Sequence, residues 1–157
     1  MGRSLRAGPA SIEGLTWLAR VGPASLEAWR CAVDLARSLD ADLHLVHVAM
    51  PMPGDAPQKV DQDYEHAVAL AQRRLEERAA SATLGSRVKT VLRRGEPVQV
   101  LAAMARDENI DLVIVGTHQR HRAGDILVGS VAERLIRLAP CTVVVVKPRK
   151  TSVDTAS

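Results

Sequence analysis

Thr142 to Val146 places four valines in succession, and Leu112 to Val115 is a second run without a polar residue. A strand with water on one face alternates apolar and polar positions. An unbroken β-branched run instead suits a strand covered on both faces, as in parallel sheets sandwiched between helices. That requirement restricts the chain to helices packed on both sides of a sheet.

The remaining segments supply the helices and strands that such a sheet needs. Leu15 to Val21 reads as a first strand closed by Gly22-Pro23, and Leu26, Trp29, Val33 and Ala36 then recur at helical spacing, with Ser25 as the expected N-cap. Leu43 to Val48 reads as a second strand. The Met50 to Pro57 loop follows, its three prolines and one glycine excluding regular structure. A long helix is expected from Asp61 to about Ala82, with Ala67, Leu70, Ala71 and Leu75 inward and a stop near Gly85. Arg87 to Arg93 alternates charged and apolar residues, as expected of a strand near a sheet edge. Gly95-Glu96-Pro97 opens a helix with Val98, Leu101, Ala102 and Ala105 inward, and Val131, Leu135 and Leu138 mark a last one. Strands alternating with helices imply an α/β fold with a parallel sheet and right-handed crossovers.

Composition bounds the function. The 157 residues suit one domain, and a 46% hydrophobic content with only 2% aromatics makes an aliphatic core. The net charge of +3 is spread among acids, as in Arg73, Arg74, Glu76, Glu77 and Arg78. This is the pattern of a solvated helix face and argues against nucleic acid as a partner. Cys31 and Cys141, without CxxC spacing, read as reduced, buried small hydrophobes in a cytoplasmic protein. No apolar run is long enough for a membrane span, and residues 1–13 and 149–157 read as flexible arms around a domain at 14–148.

Between the two buried runs lies DLVIVGTHQRHRAGDILVGSVAERL, Asp111 to Leu135. A strand delivers Gly116 to the sheet edge where open α/β folds bind ligands. A cationic loop with Arg120 and Arg122 follows, and a helix then starts at Gly129-Ser130. A helix start offers free amides and a partial positive charge, so the stretch forms a candidate anion cradle. The competing reading is structural. Ser130-Val131-Ala132-Glu133 fits the S-x-x-E capping box, in which Ser130 and Glu133 satisfy those amides and no ligand is needed.

The pieces SLEAWRCAVDLARSLDADLHLVHV, GEPVQVLAAMARDENIDLVIVGTH and VGSVAERLIRLAPCTVVVVKP resemble the universal stress protein family, in order and spacing, from about Gly14 to Pro148. The resemblance implies a flavodoxin-like three-layer sandwich with strand order 3-2-1-4-5, homodimers paired through the last strand, and a role in stress survival. Many members bind ATP through a G-x-x-G, nine residues, G-[ST] pattern, with magnesium as an accompanying ion; another branch does not bind. Carried over, the resemblance implies a nucleotide site at Gly116, Thr117, His118, Gln119, Arg120, Arg122, Gly129, Ser130 and Val131, with an adenine contact from the Val48 backbone. Two positions depart from the pattern. Gln119 stands at the second glycine, and Arg20 stands where ATP-binding members carry an acid, so that it attracts an anion or pairs with Asp125 or Asp111.

Catalysis has little support. No Walker A or G-x-G-x-x-G motif is present, and no metal site is expected. His44 and His47 point to opposite faces of a strand, while His118 and His121 lack a nearby Cys or acid to complete a zinc set. Binding without turnover is the expectation, with a weak ATPase as the enzymatic alternative. Thr142 to Val146 as an unguarded edge strand independently favours a homodimer, and a ligand-free dimeric interaction protein is the alternative to nucleotide binding.

Overall fold

The computed structural model describes residues 14–18, 23–50, 57–117 and 129–147, with side chains for 26–50, 62–117 and 129–147. The elements are β1 (Gly14–Leu18), α1 (Pro23–Leu39), β2 (Asp42–Ala49), α2 (Pro57–Ser81), a short 3-10 turn (Gly85–Arg87), β3 (Val88–Arg94), α3 (Pro97–Asp107), β4 (Leu112–Gly116), α4 (Ser130–Leu138) and β5 (Thr142–Val146). The strands form one parallel sheet in the order β3-β2-β1-β4-β5.

Strand alternation sorts the core into two layers. Leu43 and Leu45 of β2, Leu112 and Ile114 of β4, and Val144 and Val146 of β5 pack with α1 and α2 residues such as Trp29, Ala32, Val33 and Leu75. Val46, Val48, Val113, Val115, Val143 and Val145 turn the other way, onto Val98, Leu101, Met104 and Ala105 of α3 and Ala132 and Leu135 of α4. Val113 and Ile114 are fully buried, as a strand covered on both faces requires. β3 and β5 are the edges, and the β5 valines are only half-buried.

Several local expectations shift. Ser25 does not cap α1, because the helix begins at Pro23; a proline there loses no hydrogen bond and brings a helical φ. For the same reason Pro57 opens α2 rather than closing the preceding loop. Leu26, Ala67 and Leu70 are exposed, and α2 instead turns Tyr64, Val68, Ala71, Leu75 and Ala79 toward the sheet. The end of α2 at Ser81, by contrast, matches the expected stop at about Ala82, with Thr83 at φ 55°. Leu138 is exposed and Ala132 takes its inward place beside Leu135. Cys31 and Cys141 are half-buried free thiols; burial pushes both thiols up, with Asp34 and Asp111 adding to it, so both stay protonated at neutral pH.

α1 and α3 end alike. Asp40 and Asn109 adopt φ of 53° and 51°, and the next amides, of Ala41 and Ile110, reach back to the carbonyls of Ala36 and Ala105 at 3.0 and 2.9 Å. This closure satisfies carbonyls that a helix end leaves open, and Asp and Asn tolerate the left-handed angle better than most side chains.

His44 is buried on the α3 side of β2, with Nδ1 3.1 Å from Glu108 Oε2 at the helix end, though too poorly aligned for a proper hydrogen bond. Burial lowers its pKa below the ordinary 6.5, Glu108 opposing and Lys89 reinforcing the shift. A base whose folded pKa is depressed stabilises the fold above its ordinary pKa and loses that contribution on acidification. Melting temperature is therefore expected to fall as pH drops below 6.5, and the fall to be shallower in His44→Leu. Parallel thermal-melt series in the two proteins check this.

Candidate functional site

The order β3-β2-β1-β4-β5 places its reversal at β1: the chain moves outward to β2 and β3 on one side, then crosses to β4 and β5 on the other. Ligands of open parallel sheets sit beyond the carboxyl ends of the strands at such a reversal. Gly116 ends β4 and Val48 lies one residue from the end of β2, so both stand at this edge.

Hydrogen-bond sense orients their backbones. The Ala49 carbonyl accepts from the Gly95 amide at 3.1 Å on the β3 side, so the peptide groups of Val48, one residue earlier, face β1. The Thr117 amide donates to the Val146 carbonyl at 2.9 Å on the β5 side, so the Gly116 peptide groups also face β1. In register, Leu18 pairs with Val46 and Trp17 with Ile114; Val48 and Gly116 each lie two positions further on. Two backbone edges therefore turn toward the same column, at the level just beyond Leu18.

The start of α4 completes the edge. Its N-cap is Gly129, at φ −57° and ψ 147°, and the Glu133 amide closes the first turn onto the Gly129 carbonyl at 3.0 Å. The expected capping box does not form, because the N-cap is Gly129 and not Ser130. Ser130 is the first helical residue, exposed, and among the described residues no side chain caps the helix. Glu133 accepts from Arg137 at 2.7 Å, one turn further along, instead of reaching back. The amides of Ser130, Val131 and Ala132 precede the first intrahelical bond, so they have no acceptor within the helix. Among the described residues, nothing would lie within 4 Å of a Cβ built on Gly129.

Of the other expected site residues, Thr117 is buried with its amide committed to Val146, and Val131 packs its side chain on the core, leaving only its amide to offer. His118, Gln119, Arg120, Arg122 and Arg20, with Asp125 and His121, lie outside the described residues. Among the described residues no group of three or more His, Cys, Asp or Glu could hold a metal ion, and no helix is long and apolar enough to cross a membrane.

One feature escaped the sequence pattern. Glu96 caps α3, accepting from the Gln99 amide at 2.9 Å, and its other oxygen accepts from Arg134 of α4 at 2.9 Å. This carboxylate ties together the helices that cover the second face. The acid before Pro97 signalled the cap, but nothing local pointed to Arg134, 38 residues away.

These geometric features fit the comparisons with known proteins. The Universal stress protein family matches residues 22–147. The chain belongs to that family. A universal stress protein of Methanocaldococcus jannaschii is 29% identical over 136 residues, covering 80% of this chain and 76% of its own. Among solved structures, the universal stress protein UspA of Lactobacillus plantarum superposes with a TM-score of 0.77 at 22% identity, over 88% of this chain and 99% of its own. Another universal stress protein, solved in complex with cAMP, gives 0.68 at 21% identity, over 89% and 100%.

The two helix starts should respond differently to mutation. Glu96→Ala is expected to cost about 1 kcal/mol, the usual loss for a capping side chain. Ser130→Ala should stay within about 0.5 kcal/mol, as for an exposed site without a special role. Denaturant titration of both variants checks the contrast.

Proposed function

We propose that the protein is a nucleotide-responsive stress module that binds an adenine nucleotide, ATP with magnesium, at the edge formed by Gly116, Val48 and the start of α4. The observation that carries this reading is the first turn of α4, where among the described residues no side chain caps the opening amides and nothing lies within 4 Å of a Cβ at Gly129. Amides with no acceptor within the helix, at its positive end, suit a phosphate. The Gly116 and Val48 backbones, facing the same column, suit the sugar and base. Solved relatives holding cAMP, AMP and dAMP support an adenine nucleotide over other anions. Thr117, His118, Gln119, Arg120, Arg122, Ser130 and Val131 belong to the phosphate side of this reading, and Arg20 to the sugar side. The role is binding and regulation in the cytoplasm, without turnover.

Gly129→Asp separates this reading from a purely structural role. The backbone angles at Gly129 accept any residue, and an aspartate there would cap the helix and raise stability by about 0.5 kcal/mol. The same carboxylate would occupy the amides and repel phosphate. Calorimetry is expected to show a higher melting temperature together with at least about tenfold weaker ATP binding, the scale of one charge-assisted hydrogen bond. Wild-type protein that neither carries nucleotide on purification nor binds millimolar ATP with magnesium would reject the proposal.

The protein also acts as a homodimer through Thr142–Val146 in this reading. β5 is an edge strand of half-buried valines without a guarding charge or proline, and Ile136 and Leu138 of the adjoining α4 are exposed. The Val146 backbone bonds to β4, so the Val145 amide faces outward from the sheet. Val145→Pro removes that outward donor and spares the β4 ladder. Sedimentation is expected to show a dimer for wild type and a folded monomer for the variant.

A further inference from the structure

The end of β2 is held by groups that lie outside the proposed site. The Ala49 carbonyl accepts two bonds, from the Gly95 amide at 3.1 Å and from the Tyr64 hydroxyl of α2 at 3.4 Å. Gly95 sits at φ 138°, an angle that L side chains rarely adopt, and a Cβ there would press on Val100 at 3.1 Å. Tyr64 is fixed in turn. The Arg94 guanidinium lies 5.2 Å from its ring centroid, close enough for a cation–π contact, and both oxygens of Glu65 accept from Arg94, at 2.7 and 2.9 Å. A helix and a turn thus converge on one carbonyl, and Arg94 of β3 braces the helix side chain.

That carbonyl immediately follows the Val48 residue, whose N–H and C=O face the β1 side. Rotation of the Val48–Ala49 peptide would turn one of those groups away from the column. The Watson–Crick edge of adenine presents an acceptor, N1, beside a donor, the N6 amino group, whereas guanine presents an N1–H donor beside the O6 acceptor. Backbone groups in a fixed orientation distinguish these orders; a loose peptide does not, because it can turn to suit either.

We propose that Tyr64, braced by Arg94, is a positioning residue that sets base selectivity, by holding the end of β2 so that the Val48 backbone matches adenine and mismatches guanine. This rests on the nucleotide reading above. Tyr64 itself touches no ligand; it acts through Ala49.

The test compares affinities of wild type, Tyr64→Phe and Arg94→Met for ATP, GTP and inorganic tripolyphosphate, each with magnesium, alongside thermal melts. Wild type is expected to prefer ATP. Tyr64→Phe, which keeps the ring and loses only the hydroxyl, should shrink the ATP-to-GTP preference about three- to tenfold, the worth of one neutral hydrogen bond, and leave tripolyphosphate affinity unchanged. Arg94→Met should move the ratio in the same direction. An unchanged ratio in both folded variants overturns the inference, because a purely structural tyrosine alters melting temperature and not base preference. Wild type that binds ATP and GTP equally also overturns it, while leaving the phosphate site intact. Wild type that binds neither ATP nor tripolyphosphate overturns the nucleotide reading itself, and this inference with it. Should Tyr64→Phe fail to fold, Arg94→Met decides.

Discussion

Coverage of β4 on both faces is the constraint on which the structure depends. Val113 and Ile114 point to opposite sides, and both are fully buried. Removing each such side chain from water is worth roughly 1.5–3 kcal/mol, provided that helices cover both faces. α1 supplies one cover, and α3 and α4 the other. Parallel neighbours follow, because a chain returning over either face begins its next strand at the same end. Each strand's carboxyl end then lies at one edge of the sheet with the start of the following helix. Free helix amides and strand-end backbone groups gather there as a consequence of how the core is buried.

At that edge the protein ties down some polar groups and leaves others without a partner from the helix itself. Glu96 caps α3 and holds Arg134; Glu133 is taken by Arg137; the Thr117 amide belongs to Val146. Among the described residues the first amides of α4 have no side-chain cap, although Ser130 and Glu133, the residue types that commonly cap, stand close by. The difference lies in a single position. With Gly129 as N-cap, Ser130 falls inside the helix, where its hydroxyl no longer serves as an N-cap acceptor, and Glu133 faces the next turn.

The sequence carried the element types well because they follow from burial. The unbroken runs at Leu112 and Thr142 became strands covered on both faces or at one edge, and the alternation in Arg87 to Arg93 marked an edge strand. Helix starts were less legible. Pro23 and Pro57 read equally well as loop breakers or as first helical residues, and only the folded context decides between them. The helix stops at Asp40 and Asn109 were missed because a left-handed angle at Asp or Asn leaves a weaker mark than glycine does. Inward faces rotated by about a residue, as at Leu26 and Leu70, since small alanines such as Ala28 and Ala32 can approach the sheet where longer side chains cannot. The Glu96–Arg134 and Tyr64–Ala49 contacts were invisible, because no local pattern encodes partners on separate elements. The strand order also lies beyond periodicity and entered through resemblance to the family.

In the proposed function an anion docks on the opening amides of α4. Amide NMR during an ATP titration with magnesium tests it most directly. The Ser130, Val131 and Ala132 resonances are expected to shift downfield in a saturable way, together with those of Gly116 and Val48. Saturable shifts confined to other parts of the fold, with these three amides unmoved, would rule out an anion site at the start of α4.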